Sequence, residues 1–252
     1  MTFSQVSFNL PLARKKKSKN YLDAKKKFLD CIDSKSFGFL DDLYQKDFNS
    51  IRGVVEKLKK FEVILFLGTG GSSLGGKTLV SFLRNSFYDN LKPKIFFIEN
   101  IDSVEIESLL KNFKLSKICC VITSKSGETI ETISQFFLIK NKFKKTKVSI
   151  KNKFFVITED KNSTLKHIQE KEQLNFLPHP FSIGGRFSVF SIVGLLPALL
   201  SGFNIRDFCL GGEEFIKKIS VDKDFNKYFD PVYNITELNK KSIKMSVIMP
   251  YI

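Results

Sequence analysis

Four short apolar runs, each closed by a polar or glycine turn, constrain the fold more than any other feature. They are Val63 to Leu67, ending in glycines; Lys94 to Ile98, ending at Glu99-Asn100; Ile118 to Ile122, ending at Thr123-Ser124; and Lys153 to Ile157, ending at Thr158-Glu159-Asp160. The apolar residues are continuous rather than alternating, which is the pattern of strands buried on both faces in a parallel sheet covered by helices. The intervening stretches, roughly Ser73 to Phe87, Ser103 to Phe113, Thr129 to Lys144 and Ser163 to Gln173, have helical character. This βα alternation predicts an α/β fold with an open, doubly wound parallel sheet. Right-handed crossovers put every strand-end turn on one edge, where ligands bind in such folds.

The flanks are helical. Before the first run, Tyr21, Leu22, Phe28, Leu29 and Ile32 form one face of an amphipathic helix, and Leu40 to Leu58 repeats at helical intervals. After the last run, the stretch from about Phe187 to Leu200 predicts a buried apolar helix kinked at Pro197. Residues 204–220 predict another helix, capped by Asn204, and Val232 to Lys240 a further one. The segment Met245 to Ile252 reads as the start of a new strand. The expected organisation is an N-terminal helical segment over 1–45, an α/β domain over 46–205, and over 206–252 a helical connector that opens a second domain.

Three glycine-anchored segments carry the chemistry. In Gly68-Thr69-Gly70-Gly71-Ser72-Ser73-Leu74-Gly75-Gly76 the glycines permit a tight turn and close approach to a ligand, and Ser72 and Ser73 cap the following helix or donate to a phosphate. A helix start presents unpaired amides and partial positive charge to an anion. The frame fits neither a P-loop nor a dinucleotide fingerprint. Alone, the segment reads as a plain turn with a serine cap.

The second segment, Thr123-Ser124-Lys125-Ser126-Gly127-Glu128-Thr129, shifts the balance to binding. Ser124, Ser126 and Thr129 offer hydroxyls and Lys125 a point charge from one short loop, the donor set a phosphate dianion requires. Glu128 would repel an anion unless it points outward. In the third, Gly184-Gly185-Arg186-Phe187-Ser188, Arg186 either pairs with a structural carboxylate or faces a ligand, because a buried unpaired charge is costly. His179, between two prolines, reads as a structural loop histidine, His167 as a surface one, and Glu131 as a favourable charge at a helix N-terminus.

Composition excludes several classes. The net charge of +15 comes from lysines spread along the chain with no nucleic-acid module around them, so no nucleic-acid partner is expected. The most apolar stretch, Val189 to Phe203, is broken by Ser191, Gly194, Pro197 and Ser201 and falls short of the roughly 20 apolar residues of a membrane span. No membrane partner is expected. Two histidines and no C-x-x-C pair leave no zinc spacing, and the cysteines read as buried reduced thiols of a cytoplasmic protein. Cys119 and Cys120 are adjacent in a strand and should face opposite sides of the sheet.

Taken together, the three segments resemble the phosphoglucose isomerase family of the sugar isomerase (SIS) superfamily, whose domain is flavodoxin-like. Gly68 to Gly76 resembles the family's first glycine-serine turn. Ser124 to Thr132 resembles its phosphate loop in the S-K-S-G-x-T-x-E-T form, and Gly184 through Pro197 resembles a signature specific to the family. The match in order and spacing runs from about residue 60 to 205. The resemblance implies reversible conversion of glucose 6-phosphate and fructose 6-phosphate in glycolysis and gluconeogenesis, with no metal or nucleotide cofactor, by enzymes that are typically homodimers. It implies that Ser72, Ser124, Lys125, Ser126 and Thr129 hold the sugar phosphate, that Gly71 lets the sugar approach the backbone, and that Arg186 stabilises a cis-enediolate. The family's base is a glutamate in an E-S-x-G-K motif, and its ring-opening groups are a histidine and a lysine further on. None has a counterpart in this sequence. The expectation is an N-terminal half with negligible turnover alone. The alternative is a non-catalytic sugar-phosphate-binding SIS module.

Overall fold

A computed structural model describes residues 19–83, 92–221 and 225–241. Five parallel strands form one sheet: β1 Val63–Leu67, β2 Lys94–Ile98, β3 Ile118–Thr123, β4 Phe154–Thr158 and β5 Asn175–Pro178, in the order β2-β1-β3-β4-β5. The first four are the expected apolar runs. The fifth is an addition to them. It has only four residues, it ends in Pro178, and it lies at a sheet edge, where a missing amide is tolerated.

Ten helices accompany the strands among the described residues: α1 Lys19–Asp33, α2 Phe39–Leu43, α3 Asn49–Leu58, α4 Leu74–Ser81, α5 Ser103–Lys111, α6 Ile130–Lys145, α7 Thr164–Lys171, α8 Ile192–Leu200, α9 Ile205–Val221 and α10 Phe225–Lys241. The first helix after β1 ends at Ser81, and the remainder of its expected range from residue 84 lies outside the described residues, as does the expected strand over 245–252. The apolar helix expected from Phe187 is divided. Residues Gly185–Phe190 form a 3₁₀ turn, Ser191 caps by accepting from the Val193 amide, and α8 follows. Pro197 sits inside α8, and a side chain on Gly76 would come within 2.6 Å of its ring. That contact is how α4 and α8 pack so closely. Asn204 caps α9 as expected, its Oδ1 accepting from the Asp207 amide at 3.2 Å.

The strands of the sheet centre separate the core into two layers by simple alternation. Ile64, Phe66, Cys119, Val121, Phe155 and Ile157 pack with α3, α4 and α8. Val63, Leu65, Leu67, Cys120, Ile122, Phe154 and Val156 pack with α5, α6 and α7. Cys119 and Cys120 therefore lie on opposite faces, each fully buried. Burying a Leu-, Ile- or Phe-sized side chain contributes about 1.5–3 kcal/mol, so the three central strands fix the position of the loops at their ends.

The described residues divide into two compact units, Phe37–Gly211 and the combination of those up to Ser36 with those from Gly212. The first holds the whole sheet. In the second, Tyr21 of α1 packs edge-on against Phe229 and Tyr233 of α10, and its hydroxyl bonds to Asn226 and Asp230. No described helix is long and apolar enough to cross a membrane.

Candidate functional site at the sheet's switch point

β1 is the first strand of the sheet, and the chain leaves it toward β2 on one side and returns as β3 on the other. At that junction the helices after β1 and β3 go to opposite faces: Leu79 of α4 joins one core layer, and Ile133 and Phe136 of α6 the other. A crevice opens between two such loops at the carboxyl ends of the strands. The first and second glycine segments are the two loops at this junction. Leu67 is in register with Ile122, and a side chain on Gly68 would stand 3.0 Å from the Thr123 carbonyl oxygen.

The first segment makes a single 3₁₀ turn, Gly70–Ser72, before α4. Ser73 does not cap α4. Its hydroxyl donates to Glu99 Oε1 at 2.5 Å, and Lys77 pairs with the other oxygen. Burial raises the Glu99 pKa, but the bonds from Lys77 and Ser73 outweigh it and hold the carboxyl below its ordinary value. Ser72 is half-buried and its hydroxyl has no protein partner among the described residues.

The second segment is tightly packed and internally bonded. Gly127 has a left-handed φ of +72°, and a side chain there would strike Ser163 Oγ at 2.2 Å. Leu165 donates its amide to the Gly127 carbonyl at 2.9 Å. Glu128 does not face an anion: its carboxylate accepts from the Thr164 amide at 2.7 Å and the Thr164 hydroxyl at 2.6 Å, at the first turn of α7. Those two bonds lower its pKa. Ser124 is buried and works inside the loop, sharing a 2.8 Å bond with Thr129 Oγ1 and accepting from the Gly127 amide. Ser126 is exposed and accepts from the Glu128 amide at 3.2 Å. Lys125 Nζ stands 3.4 Å from Glu159 Oε1 and donates to the Phe181 carbonyl at 3.4 Å.

The third segment is held against the first. The close approach that Gly71 permits is occupied by the Gly185–Arg186 peptide, whose amide nitrogen would lie 2.7 Å from a side chain at position 71. The single Ser188 hydroxyl proton is shared between the Gly71 carbonyl at 3.0 Å and the Gly185 carbonyl at 2.7 Å. Arg186 is exposed and has no carboxylate partner among the described residues. The burial cost that would have forced an ion pair on it does not arise. His179 is buried, with Nδ1 at 2.9 Å from the Pro180 carbonyl and its amide on the Thr158 carbonyl. Burial lowers its pKa and Lys125 adds to that, against a smaller opposite pull from the Pro180 carbonyl and Glu159.

Sequence reasoning assigns no role to Glu99 or Glu159. The available signal is position: each directly follows a parallel strand, which puts it on the ligand-binding rim.

These features define an open, doubly wound α/β domain of the SIS type with its three glycine segments on one rim. A family model, phosphoglucose isomerase, matches residues 42–243, and the chain belongs to that family. It is 31% identical over 221 residues to the probable glucose-6-phosphate isomerase of Methanococcus maripaludis, an alignment covering 86% of this chain and 49% of that protein. It is 30% identical over 235 residues to the glucose-6-phosphate isomerase of Methanocaldococcus jannaschii, covering 92% and 55%. The chain spans about half the length of these relatives. Among solved structures, a glucose-6-phosphate isomerase from Chlamydia trachomatis superposes with a TM-score of 0.54 at 26% identity, covering 68% of this chain and 32% of that one. A hypothetical protein from Thermus thermophilus shares the fold at a TM-score of 0.66 and 23% identity, covering 81% and 50%.

Proposed function

We infer that this chain grips a sugar phosphate at the β1–β3 switch point and serves the interconversion of glucose 6-phosphate and fructose 6-phosphate. Ser72, Lys125 and Ser126 contact the phosphate, and Ser124 and Thr129 shape the loop and turn a hydroxyl to it when it binds. Gly71 and the Gly185–Arg186 peptide form the wall beside the sugar. Arg186 supplies a cation for the negative charge that develops as a proton moves between C1 and C2. A cation aimed at that charge from a fixed peptide lowers the barrier because no reorganisation is needed at the moment of reaction.

The observation that carries this reading is that the first segment touches the third, Gly71 against the Gly185–Arg186 peptide, while Lys125 of the second bonds to the Phe181 carbonyl three residues before the third. Calorimetric titration with 6-phosphogluconate tests it. A much weaker affinity in Lys125→Ala is the expected result, and equal affinity in both proteins refutes the assignment of the loop.

A second reading, sugar-phosphate binding without turnover by this chain alone, is favoured by the state of three carboxylates on this rim. Glu99 is held by Ser73 and Lys77, Glu128 by Thr164, and Glu159 by Lys125 and Lys161. Carboxylates so engaged are poor bases for a carbon-bound proton, which needs a base with a pKa near the working pH. An assay of fructose 6-phosphate conversion on the same samples separates the two: binding with negligible turnover supports the second reading, and binding with rapid turnover discards it.

A further inference from the structure

We propose that Glu159 is a positioning residue that holds the Lys125 ammonium in place for the phosphate; this rests on Lys125 being a phosphate ligand. Glu159 reaches Lys125 at both ends. Its amide donates to the Lys125 carbonyl at 3.2 Å, and its Oε1 stands 3.4 Å from Lys125 Nζ. Thr158 Oγ1 donates to the same carbonyl at 3.4 Å.

An ammonium has three donors and no acceptor. One is given to the Phe181 carbonyl at 3.4 Å, and Glu159 draws the ammonium as an ion pair at 3.4 Å. These partners come from the end of β4 and the segment leading to Arg186, and N–H donors of the ammonium are left for a ligand. A lysine is otherwise a point charge on a flexible four-carbon stem, and holding it costs side-chain entropy at binding. Here that ordering is done before the ligand arrives.

The arrangement has to avoid repelling the phosphate with its own carboxylate. Lys161 answers this. It pairs with Glu159 Oε2, so the carboxylate, only 5% exposed, is balanced by one lysine while it orients the other. Glu159 thus keeps its charge as an orienting group without presenting a bare negative charge to the dianion.

The test is a four-protein cycle on the full chain, reading the affinity for 6-phosphogluconate by ³¹P NMR, which detects weak binding: wild type, Glu159→Ala, Lys125→Ala and the double variant. Positioning through Lys125 predicts that Glu159→Ala weakens binding about tenfold when Lys125 is present and less than about twofold when it is absent. An equal loss in both backgrounds means a general structural role and overturns the proposal. Tighter binding in Glu159→Ala also overturns it, since Glu159 would then only compete with the phosphate. If Lys125→Ala binds as the wild type does, the phosphate-grip reading fails first and takes this one with it. Should Glu159→Ala fail to fold, the isosteric Glu159→Gln takes its place in the cycle, with a loss of about threefold expected only when Lys125 is present.

Discussion

Gly71 and Arg186 meet backbone to backbone, with the Arg186 amide nitrogen 2.7 Å and the Gly185 carbonyl oxygen 2.3 Å from where a side chain on residue 71 would begin. Neither contact is with a flexible side chain that could move aside. Gly71→Ala must therefore displace the third segment, and it should cost about 1–3 kcal/mol of stability as an overpacking change. It should also weaken 6-phosphogluconate binding by moving Arg186. Gly185→Ala is the control, because a side chain there meets nothing within 4 Å, and its stability should stay within about 0.5 kcal/mol of wild type. Thermal unfolding and calorimetry on both variants check the contrast. Equal melting temperatures would mean that the two segments are not in contact in solution.

Gly127 and Gly53 predict opposite signs for the same substitution. Gly127 combines φ +72° with a 2.2 Å approach to Ser163 Oγ, so Gly127→Ala should destabilise by about 1–3 kcal/mol and loosen the phosphate loop. Gly53 lies inside α3 with open space around it, and Gly53→Ala should stabilise by about 0.5–1 kcal/mol through lost freedom in the unfolded chain. Urea denaturation of the two variants reads both signs.

The central strands were legible because burial on both faces demands continuous apolar residues, and Val63 to Leu67 or Ile118 to Ile122 admit no other use. The turn after β3 was legible because hydroxyls, a lysine and a glycine gather directly after an apolar run; that Ser124, Ser126 and Thr129 bond within the loop was not, since one turn's composition suits internal bonds and a ligand equally. β5 was not, since Asn175–Pro178 is short, half-buried and closed by proline, a composition shared with ordinary loops. The division between the 3₁₀ turn and α8 falls at the Ser191 cap, and the 3₁₀ turn is held by Ser188 bonding to Gly71, a residue 117 positions away, a contact that no local pattern encodes. The pairing of Glu159 with Lys125 was hidden for the same reason: strand order brings them together, and strand order is not written in the spacing.

Arg186 separates binding from stability. It is exposed and unpaired among the described residues, so Arg186→Ala should leave the unfolding free energy within about 0.5 kcal/mol of wild type. The same change should weaken 6-phosphogluconate binding severalfold, because it removes a cation beside an anionic ligand. A clear loss of stability would indicate a structural ion pair instead, the other option the sequence allows.

Asp42 should make stability fall as pH rises. It lies in α2, its Oδ2 is buried without a hydrogen-bond partner, and burial together with the neighbouring Asp41 pushes its pKa up to about 6. An unfolded aspartate titrates near about 3.9. Between these values the native chain holds a proton that the unfolded chain has lost, so this residue's contribution to stability declines as pH rises through that window and stays low above it. Asp42→Asn removes the charge and keeps the shape. It should stabilise the protein at pH 7.5 by about 1 kcal/mol, a figure reduced for the residue's partial exposure, and have little effect at pH 4. Cys209 offers a second readout. Burial, with a smaller addition from Asp42, pushes its thiol up to about 11. In Asp42→Asn that thiol should titrate lower and react faster with an alkylating reagent at pH 9. Unfolding midpoints that move equally at both pH values would show that Asp42 is ionised throughout and that its burial carries no electrostatic cost.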